Sequence, residues 1–488
     1  MKYSSILEAV WSRALETPDK LCVADAVCEL TYAQYQDRIR RYAAVLEAKG
    51  IRAGQCLVVE CQQRADYTAM ELAIQYIGAI FVPMENKCAP EKLVAIAKRC
   101  EAHLLVTIKA LSSEEVPCIT YAQIAEAAAG VAPAEHSLPE GNRVSEILFS
   151  TGTTGKEKGI VISHQNDVAV AENIAYGAGF TEETIEMIPS PLNHSHGLRS
   201  YYANMISGST VILLDSVMDL KRLFANMDRY KVNAMDLVPA ALAVIFKLSG
   251  RKLGEYKDQL KFLEFGSAAM MASDKELLLE LFPGMPLYNF YGSTESGRAV
   301  VYNFNNGVNK KGCIGKPTHN TTVIMLDPET RKPIESSASH TGLLASAGPM
   351  NMIGYYKDQA ETDSVLHDGY VYSNDEAYFD EDGEIILLGR LGDVINVGGN
   401  KVSPEEIENI AKQFPGVADC GCVPVKDPIM GAAPKLVLQL EPGTELDSKA
   451  IKSFIASKVE PYKVPKVIET IDQIPRTFNG KLIRRKLY

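Results

Sequence analysis

Over the first 135 residues of this 488-residue chain, short apolar runs alternate with stretches of helical period. Residues 6–15 and 35–49 read as amphipathic helices, and residues 56–60 (CLVVE), 80–83 (IFVP) and 104–108 (LLVTI) read as strands. Strands that alternate with helices imply a largely parallel sheet covered by helices. Residues 129–141 (AGVAPAEHSLPEG) form a Pro/Gly/Ala loop, and a second α/β stretch follows from about 143 to 300. From about 310 to 390 the texture changes to short strands with frequent turns, which predicts a β-rich subdomain. After Gly389-Arg390 it changes again, with the boundary placed at 391–393. The first domain is therefore expected over 1–392. The last 96 residues, 393–488, read β-α-β-β-α-β and are enough for a small domain of their own.

Charge and cysteine content narrow the function classes. Lys and Arg number 50 against 61 Asp and Glu, a net charge of −11, so bulk charge does not favour a nucleic-acid backbone. The ten cysteines contain no C-x-x-C pair, and reduced thiols are expected. The longest apolar region, around 73–83, is broken by Gln75, Gly78 and Pro83 and is too short to span a bilayer. The N-terminus lacks a signal-peptide core, so a soluble, cytoplasmic protein is expected.

One loop carries clear chemistry. Apolar Ile147-Leu148-Phe149 leads into Ser150, Thr151, Gly152, Thr153, Thr154, Gly155, Lys156, Glu157, Lys158 and Gly159, and apolar Ile160-Val161-Ile162 follows. Four hydroxyls, three glycines and two lysines between two strands are what a triphosphate needs: close backbone approach, donors and positive charge. The spacing is not that of a Walker A loop, which ends in a helix rather than a strand.

Four further stretches lie downstream. They are YNFYGSTE at 288–295, YVYSND at 370–375, GRLGDVINVGGNKVSPEEIE at 389–408, and PRTFNGK at 475–481. Together with the loop, and in this order, they resemble the adenylate-forming superfamily: acyl-CoA synthetases, adenylation domains of peptide synthetases, and luciferases. The resemblance implies an α/β fold: a large N-terminal domain of stacked α/β subdomains plus a β-barrel-like subdomain, and a small, mobile α+β C-terminal domain. It also implies a two-step ligase reaction. A carboxylate attacks the α-phosphate of ATP with Mg²⁺, giving an acyl-adenylate and pyrophosphate; a thiol then takes the acyl group and AMP leaves.

The matched positions imply roles. Ser150, Thr151, Gly152, Thr153, Thr154, Gly155 and Lys158 resemble the β,γ-phosphate loop. Tyr291 resembles the adenine-stacking aromatic, flanked by Asn289, Phe290 and Gly292. Gly266 and Ser267 resemble the strand end that contacts adenine. Thr294 resembles a phosphate-contacting hydroxyl and Glu295 the Mg²⁺ ligand. Asp375 and Arg390 resemble the ribose contacts, and Lys481 the catalytic lysine. Lys481 would bridge the acid and the α-phosphate and cancel their repulsion. For the acid, His194 and His196 resemble the pocket gate. Phe265 and Ser293 join the expected pocket, and Arg199 and Arg298 are arginines that could hold a second carboxylate.

Two positions depart from the family pattern. Gly392 stands where the hinge of the small domain usually carries Asp or Lys, next to a matching Asp393. Glu157 stands where proline usually precedes Lys158, adding negative charge beside the phosphates and removing a fixed φ, which predicts weaker ATP binding or a more mobile loop. Gly398-Gly399 resembles the form common in CoA ligases, where the paired glycines leave a tunnel for the thiol arm. CoA is therefore the expected acceptor. A phosphopantetheine carrier protein is the alternative acceptor, and a non-catalytic nucleotide-binding relative is the alternative from another class. A monomer or homodimer is expected, with no nucleic-acid partner.

Overall fold

A computed structural model describes residues 1–151, 157–268, 270–308, 310–398, 400–476 and 482–488. Two large sheets share one layer of helices. The first sheet has seven strands in the order Gly354–Tyr355, Glu157–Ser163, Val144–Thr151, Ile80–Met84, Cys56–Glu60, Leu104–Thr107, Cys118–Thr120. Its middle strands pair in parallel. All five residues of Cys56–Glu60 are buried, which is why the strand runs apolar from Cys56 to Val59 rather than alternating.

The second sheet carries the parallel strands Thr210–Leu213, Ile185–Ile188, Ala234–Leu237, Phe262–Phe265 and Leu287–Ser293. It then turns antiparallel through Gly297–Asn303 and Cys313–Pro317 and runs on into Ile385–Arg390, Tyr370–Phe379, Gly342–Ala347 and Thr322–Leu326. The β-rich stretch expected at about 310–390 is present, but it continues the hydrogen-bonded path of the α/β sheet instead of closing on itself.

The N-terminal segment reaches beyond the sheet of the first 135 residues. Strands Leu21–Ala24 and Glu29–Thr31 form a hairpin that joins the second sheet, with Val23 opposite Val211. Thr31 then caps the next helix, Tyr32–Ala48. Its hydroxyl accepts from the Gln34 N–H while the Gln34 side chain accepts from the Thr31 N–H. That capping box starts the helix three residues before the expected start at Tyr35.

The helices between the sheets are Ala65–Tyr76, His164–Ala178 and Ser195–Ser207. In the first, every residue but Asp66 is buried. One core cluster runs through all three, taking Leu57 and Phe81 from the first sheet and Ile188 and Val211 from the second. Residues after 394 form a separate five-stranded sheet under helices Pro404–Ala411 and Ser448–Ala456. It opens with a hairpin, Ile395–Val397 with Asn400–Val402, where a single strand was expected. Among the described residues no helix is long and apolar enough to cross a membrane.

Candidate active site

The second sheet sets the site. Strands Ile185–Ile188, Ala234–Leu237, Phe262–Phe265 and Leu287–Ser293 are parallel, so their C-terminal ends lie along one edge. From that edge leave the segment to His194 and His196, the pair Gly266-Ser267, and the turn with Thr294 and Glu295. Sheets of this kind bind ligands outside the carboxyl ends of their strands. Gly266 is needed for packing: a Cβ there would lie 2.8 Å from Cε1 of His196. Ser267 takes the left-handed region at φ 71°, a strained turn for a side-chain residue at the head of the strand.

On the nucleotide side, Val144–Thr151 and Glu157–Ser163, the strands that flank the expected loop, pair antiparallel as a hairpin, with Thr151 opposite Glu157. Gly152, Thr153, Thr154 and Gly155 lie outside the described residues. Lys158 forms an ion pair with Glu361 and sits 5.2 Å from the centre of the Tyr355 ring. Tyr291, Asp375 and Arg390 come together. The Tyr291 hydroxyl donates to Asp375, and Arg390 Nε lies 3.2 Å from the other carboxylate oxygen across the strand pair Tyr370–Phe379 and Ile385–Arg390. Burial first, and Asp375 second, raise the Tyr291 phenol far above its usual range, so it stays a donor. Asn289 is half-buried in the same strand, and Gly292 and Ser293 are exposed at its end. The Ser293 hydroxyl lies 3.1 Å from that of Ser296. Glu295 is half-buried and accepts a 2.9 Å hydrogen bond from the Tyr355 hydroxyl.

On the acid side, burial lowers the pKa of His194, so its ring is neutral at pH 7. His196 lies between an acid and a base. Its Nε2 is 2.7 Å from Asp236 Oδ1, and its Nδ1 is 3.2 Å from the Arg298 guanidinium. Arg298 also reaches Glu264 at 3.2 Å and donates to Ser200 at 2.8 Å. Burial would raise Asp236, but His196 and Arg298 beside it outweigh that and hold it at about 2. The Phe290 ring packs 5.0 Å from the Arg298 guanidinium.

Two expected pocket residues belong elsewhere. Arg199 is 3% exposed and lies in the helical layer. It pairs with Glu146 and sits 2.7 Å from Asp167, so its guanidinium is taken up inside the fold. Phe265 is fully buried and packs against Phe304 in the core at 6.0 Å between ring centres. Arg298 keeps its place beside His196, but two carboxylates already engage it.

At the expected domain boundary Gly392 has φ 90° and nothing within 4 Å of where a Cβ would stand, so backbone freedom is what this position supplies. Asp393 next to it lies 3.7 Å from Arg484 of the C-terminal segment. Gly398 also has positive φ, and its N–H donates to Met430 O. Gly399 and Lys481 lie outside the described residues. Sequence reading missed Tyr355, Glu361, Lys92, Asp236 and Glu264. Asp236 and Glu264 each interrupt an apolar strand, AMDL and FLEF, a visible signal of an internal polar network. Tyr355, Glu361 and Lys92 carry no such mark. A group of carboxylates close enough for a metal, Asp380, Asp382 and Glu384, holds the Lys310 ammonium at 2.5–2.7 Å instead.

Residues 10–356 match the AMP-binding enzyme family, and residues 406–481 match the AMP-binding enzyme C-terminal domain. The chain belongs to this family. It is 25% identical to a 4-coumarate–CoA ligase-like protein of Oryza sativa subsp. japonica, over 96% of this chain and 87% of that one. It is 25% identical to 2-succinylbenzoate–CoA ligase of Bacillus mycoides, over 97% and 96%. Its fold matches ATP-bound MatB from Rhodopseudomonas palustris with a TM-score of 0.87 and 22% identity, covering 99% of this chain and 98% of that one. It also matches o-succinylbenzoate CoA synthetase from Bacillus subtilis, solved with an acyl-adenylate, with a TM-score of 0.84 and 23% identity over 98% and 97%.

In this AMP-binding enzyme the Glu157 departure has a local answer. Its carboxylate lies 3.1 Å from Lys92, which also reaches Glu85 at 2.9 Å, and its carbonyl accepts from Arg99 at 2.8 Å. The added charge is therefore offset by a lysine from the helix Pro90–Arg99. Lys92→Met is expected to raise the KM for ATP about two- to fivefold, since the pair is half-exposed. Glu157→Gln in that background should restore it. An unchanged KM in Lys92→Met would show that the Glu157 charge does not reach the phosphates.

Proposed function

We propose that this AMP-binding enzyme is an AMP-forming acyl-CoA ligase. It joins a carboxylic acid to AMP at the expense of ATP, releases pyrophosphate, and passes the acyl group to the thiol of CoA. The observation that carries this is the gathering of the Tyr291–Asp375–Arg390 cluster, Glu295 and the two histidines on the second sheet, with the phosphate hairpin of the first sheet bonded to the Glu295 turn through residues 352 and 353. The CoA-ligase relatives support the acceptor.

The roles follow from the groups. Tyr291 gives the adenine a flat face, and Asp375 accepts from the ribose hydroxyls while Arg390 holds it in place. The hairpin backbone and Lys158 take the outer phosphates, with Lys158 exchanging Glu361 for phosphate oxygen. Glu295 fits a magnesium site: it is a hard carboxylate, half-buried, with hydroxyls at Thr294 and Ser293 beside it. Magnesium bound there offsets phosphate charge. Neutral His194 and the fixed ring of His196 shape the acid pocket. Lys481 meets the carboxylate as it attacks. Gly392 is the hinge between a domain over 1–392 and one over 393–488, and Gly398-Gly399 admit the pantetheine arm. The ten free cysteines, seven of them buried, suit a reducing compartment, and we place the enzyme in the cytoplasm.

The acid is read as one that brings a single carboxylate to this pocket. Arg199 is enclosed by its own acids, and Arg298 already faces Glu264 and Asp236. Pyrophosphate release from Mg-ATP against fatty, aryl, amino and dicarboxylic acids, with and without CoA, tests the reading. Turnover with a monocarboxylic class that yields its CoA thioester is the expected result. Preference for a dicarboxylate would overturn the pocket assignment, and acid-dependent release without CoA consumption would point to a carrier protein. ATP binding with no acid-dependent release would mark a non-catalytic relative.

A further inference from the structure

Glu295 sits in the turn between strands Leu287–Ser293 and Gly297–Asn303. A metal ligand on a turn needs outside support, because a loose side chain cannot hold one oxygen where the ion requires it. The support comes from a segment far along the chain, residues 352–356. The Met352 N–H donates to the Glu295 carbonyl at 2.8 Å, and the Tyr355 hydroxyl donates to Glu295 Oε1 at 2.9 Å. Backbone and carboxylate of the same residue are thus both held by one short stretch.

That stretch is bonded in alternation to the phosphate hairpin. The Ile353 N–H donates to Val161 O at 2.9 Å, and the Tyr356 N–H donates to Gly159 O at 2.7 Å. Tyr355 itself stands opposite Ile160 in the strand pair. Its side chain is buried, with Lys158 Nζ on the ring face at 5.2 Å. One tyrosine therefore touches the two charged groups that must meet a metal–nucleotide from opposite sides, and it is pinned to the strand that carries one of them.

We propose that Tyr355 is a positioning residue for the metal–nucleotide: its hydroxyl aims the Glu295 carboxylate while its ring and backbone fix that carboxylate's spacing to Lys158. This rests on the reading of Glu295 as the metal ligand. The hydroxyl is a directional donor to one carboxylate oxygen, so it selects a rotamer of a side chain that would otherwise turn freely. Partners of this kind typically alter metal affinity 10–100-fold when removed.

The test is Tyr355→Phe, which removes only the hydroxyl and keeps the ring over Lys158. Binding of Mn²⁺ to the enzyme with ATP is followed by electron paramagnetic resonance, and metal-free ATP binding is measured separately in EDTA. Tyr355→Phe is expected to weaken Mn²⁺ binding about tenfold. Metal-free ATP affinity and the melting temperature should stay near wild type, and turnover should recover at high Mg²⁺. Glu295→Gln is run beside it. Loss of Mn²⁺ binding in Glu295→Gln with wild-type behaviour in Tyr355→Phe would overturn the positioning role and leave the ligand assignment standing. Wild-type Mn²⁺ binding in both variants would overturn the role and the ligand assignment together. A matching fall in metal-free ATP affinity or in melting temperature would show Tyr355 to be structural, and would equally overturn the proposal.

Discussion

Alanine at Lys481 is expected to lower acid-dependent ATP–pyrophosphate exchange roughly 10²–10³-fold, the usual cost of losing one preorganised charge at a transition state. The reason is electrostatic. The reaction drives a carboxylate onto a phosphate that is itself anionic, and an ammonium placed between them cancels the repulsion as the bond forms. ATP binding should survive, because the proposed nucleotide contacts are made by other groups, the phosphate hairpin, Tyr291 and the Asp375–Arg390 pair. Thioester formation from a supplied acyl-adenylate should also survive, since the two anions are by then joined. Exchange at the wild-type rate would remove Lys481 from the chemistry.

The second large effect concerns stability. Arg199→Met is expected to cost about 3–5 kcal/mol in chemical denaturation, because it leaves a buried acid cluster without its cation. Glu146, Asp167 and Glu71 lie around that guanidinium, and Tyr202 bonds both Glu71 and Glu146. Burial pushes Asp167 and Glu71 well above the usual carboxylate range even with Arg199 present. The pH sign follows. A carboxyl raised in the fold adds stability that is complete below its unfolded pKa, about 4, and is lost as pH rises through its folded value. The deficit of the variant should therefore shrink toward pH 4 and grow toward neutrality. A variant that unfolds like the wild type at pH 7 would show that the acids are neutral and need no partner.

The family motifs and several strands were legible because each carries its signal locally. CLVV is apolar on both faces, and it is the body of the strand Cys56–Glu60. The Ser/Thr/Gly/Lys loop stands between two apolar runs, and those runs are the arms of a hairpin. What was not legible depends on distant partners. Arg199 and Arg298 look alike in the sequence, yet one lies in the helical layer and the other beside His196. Only the crossing of strands from four parts of the chain decides that. The carboxylates inside SEILF, IEMI, AMDL and FLEF were the available hint, since a charge within a buried strand must find a partner. Tyr355 offered no hint: its partners are Glu295, 60 positions away, and the hairpin, nearly 200.

The hairpin Leu21–Ala24 with Glu29–Thr31 finds its sheet neighbour only at Thr210–Leu213. During synthesis some 180 residues must leave the ribosome before those early strands can dock. Until then they present an unpaired edge and apolar Leu21, Cys22 and Val23 to the cell. Pairings so distant in sequence close slowly, and domains of this size fold through exposed intermediates. A fragment ending near residue 135 would keep the helices and strands of the first sheet's core but leave this edge open. Expressed alone it should aggregate, and the full chain should gain yield from slower synthesis or lower temperature.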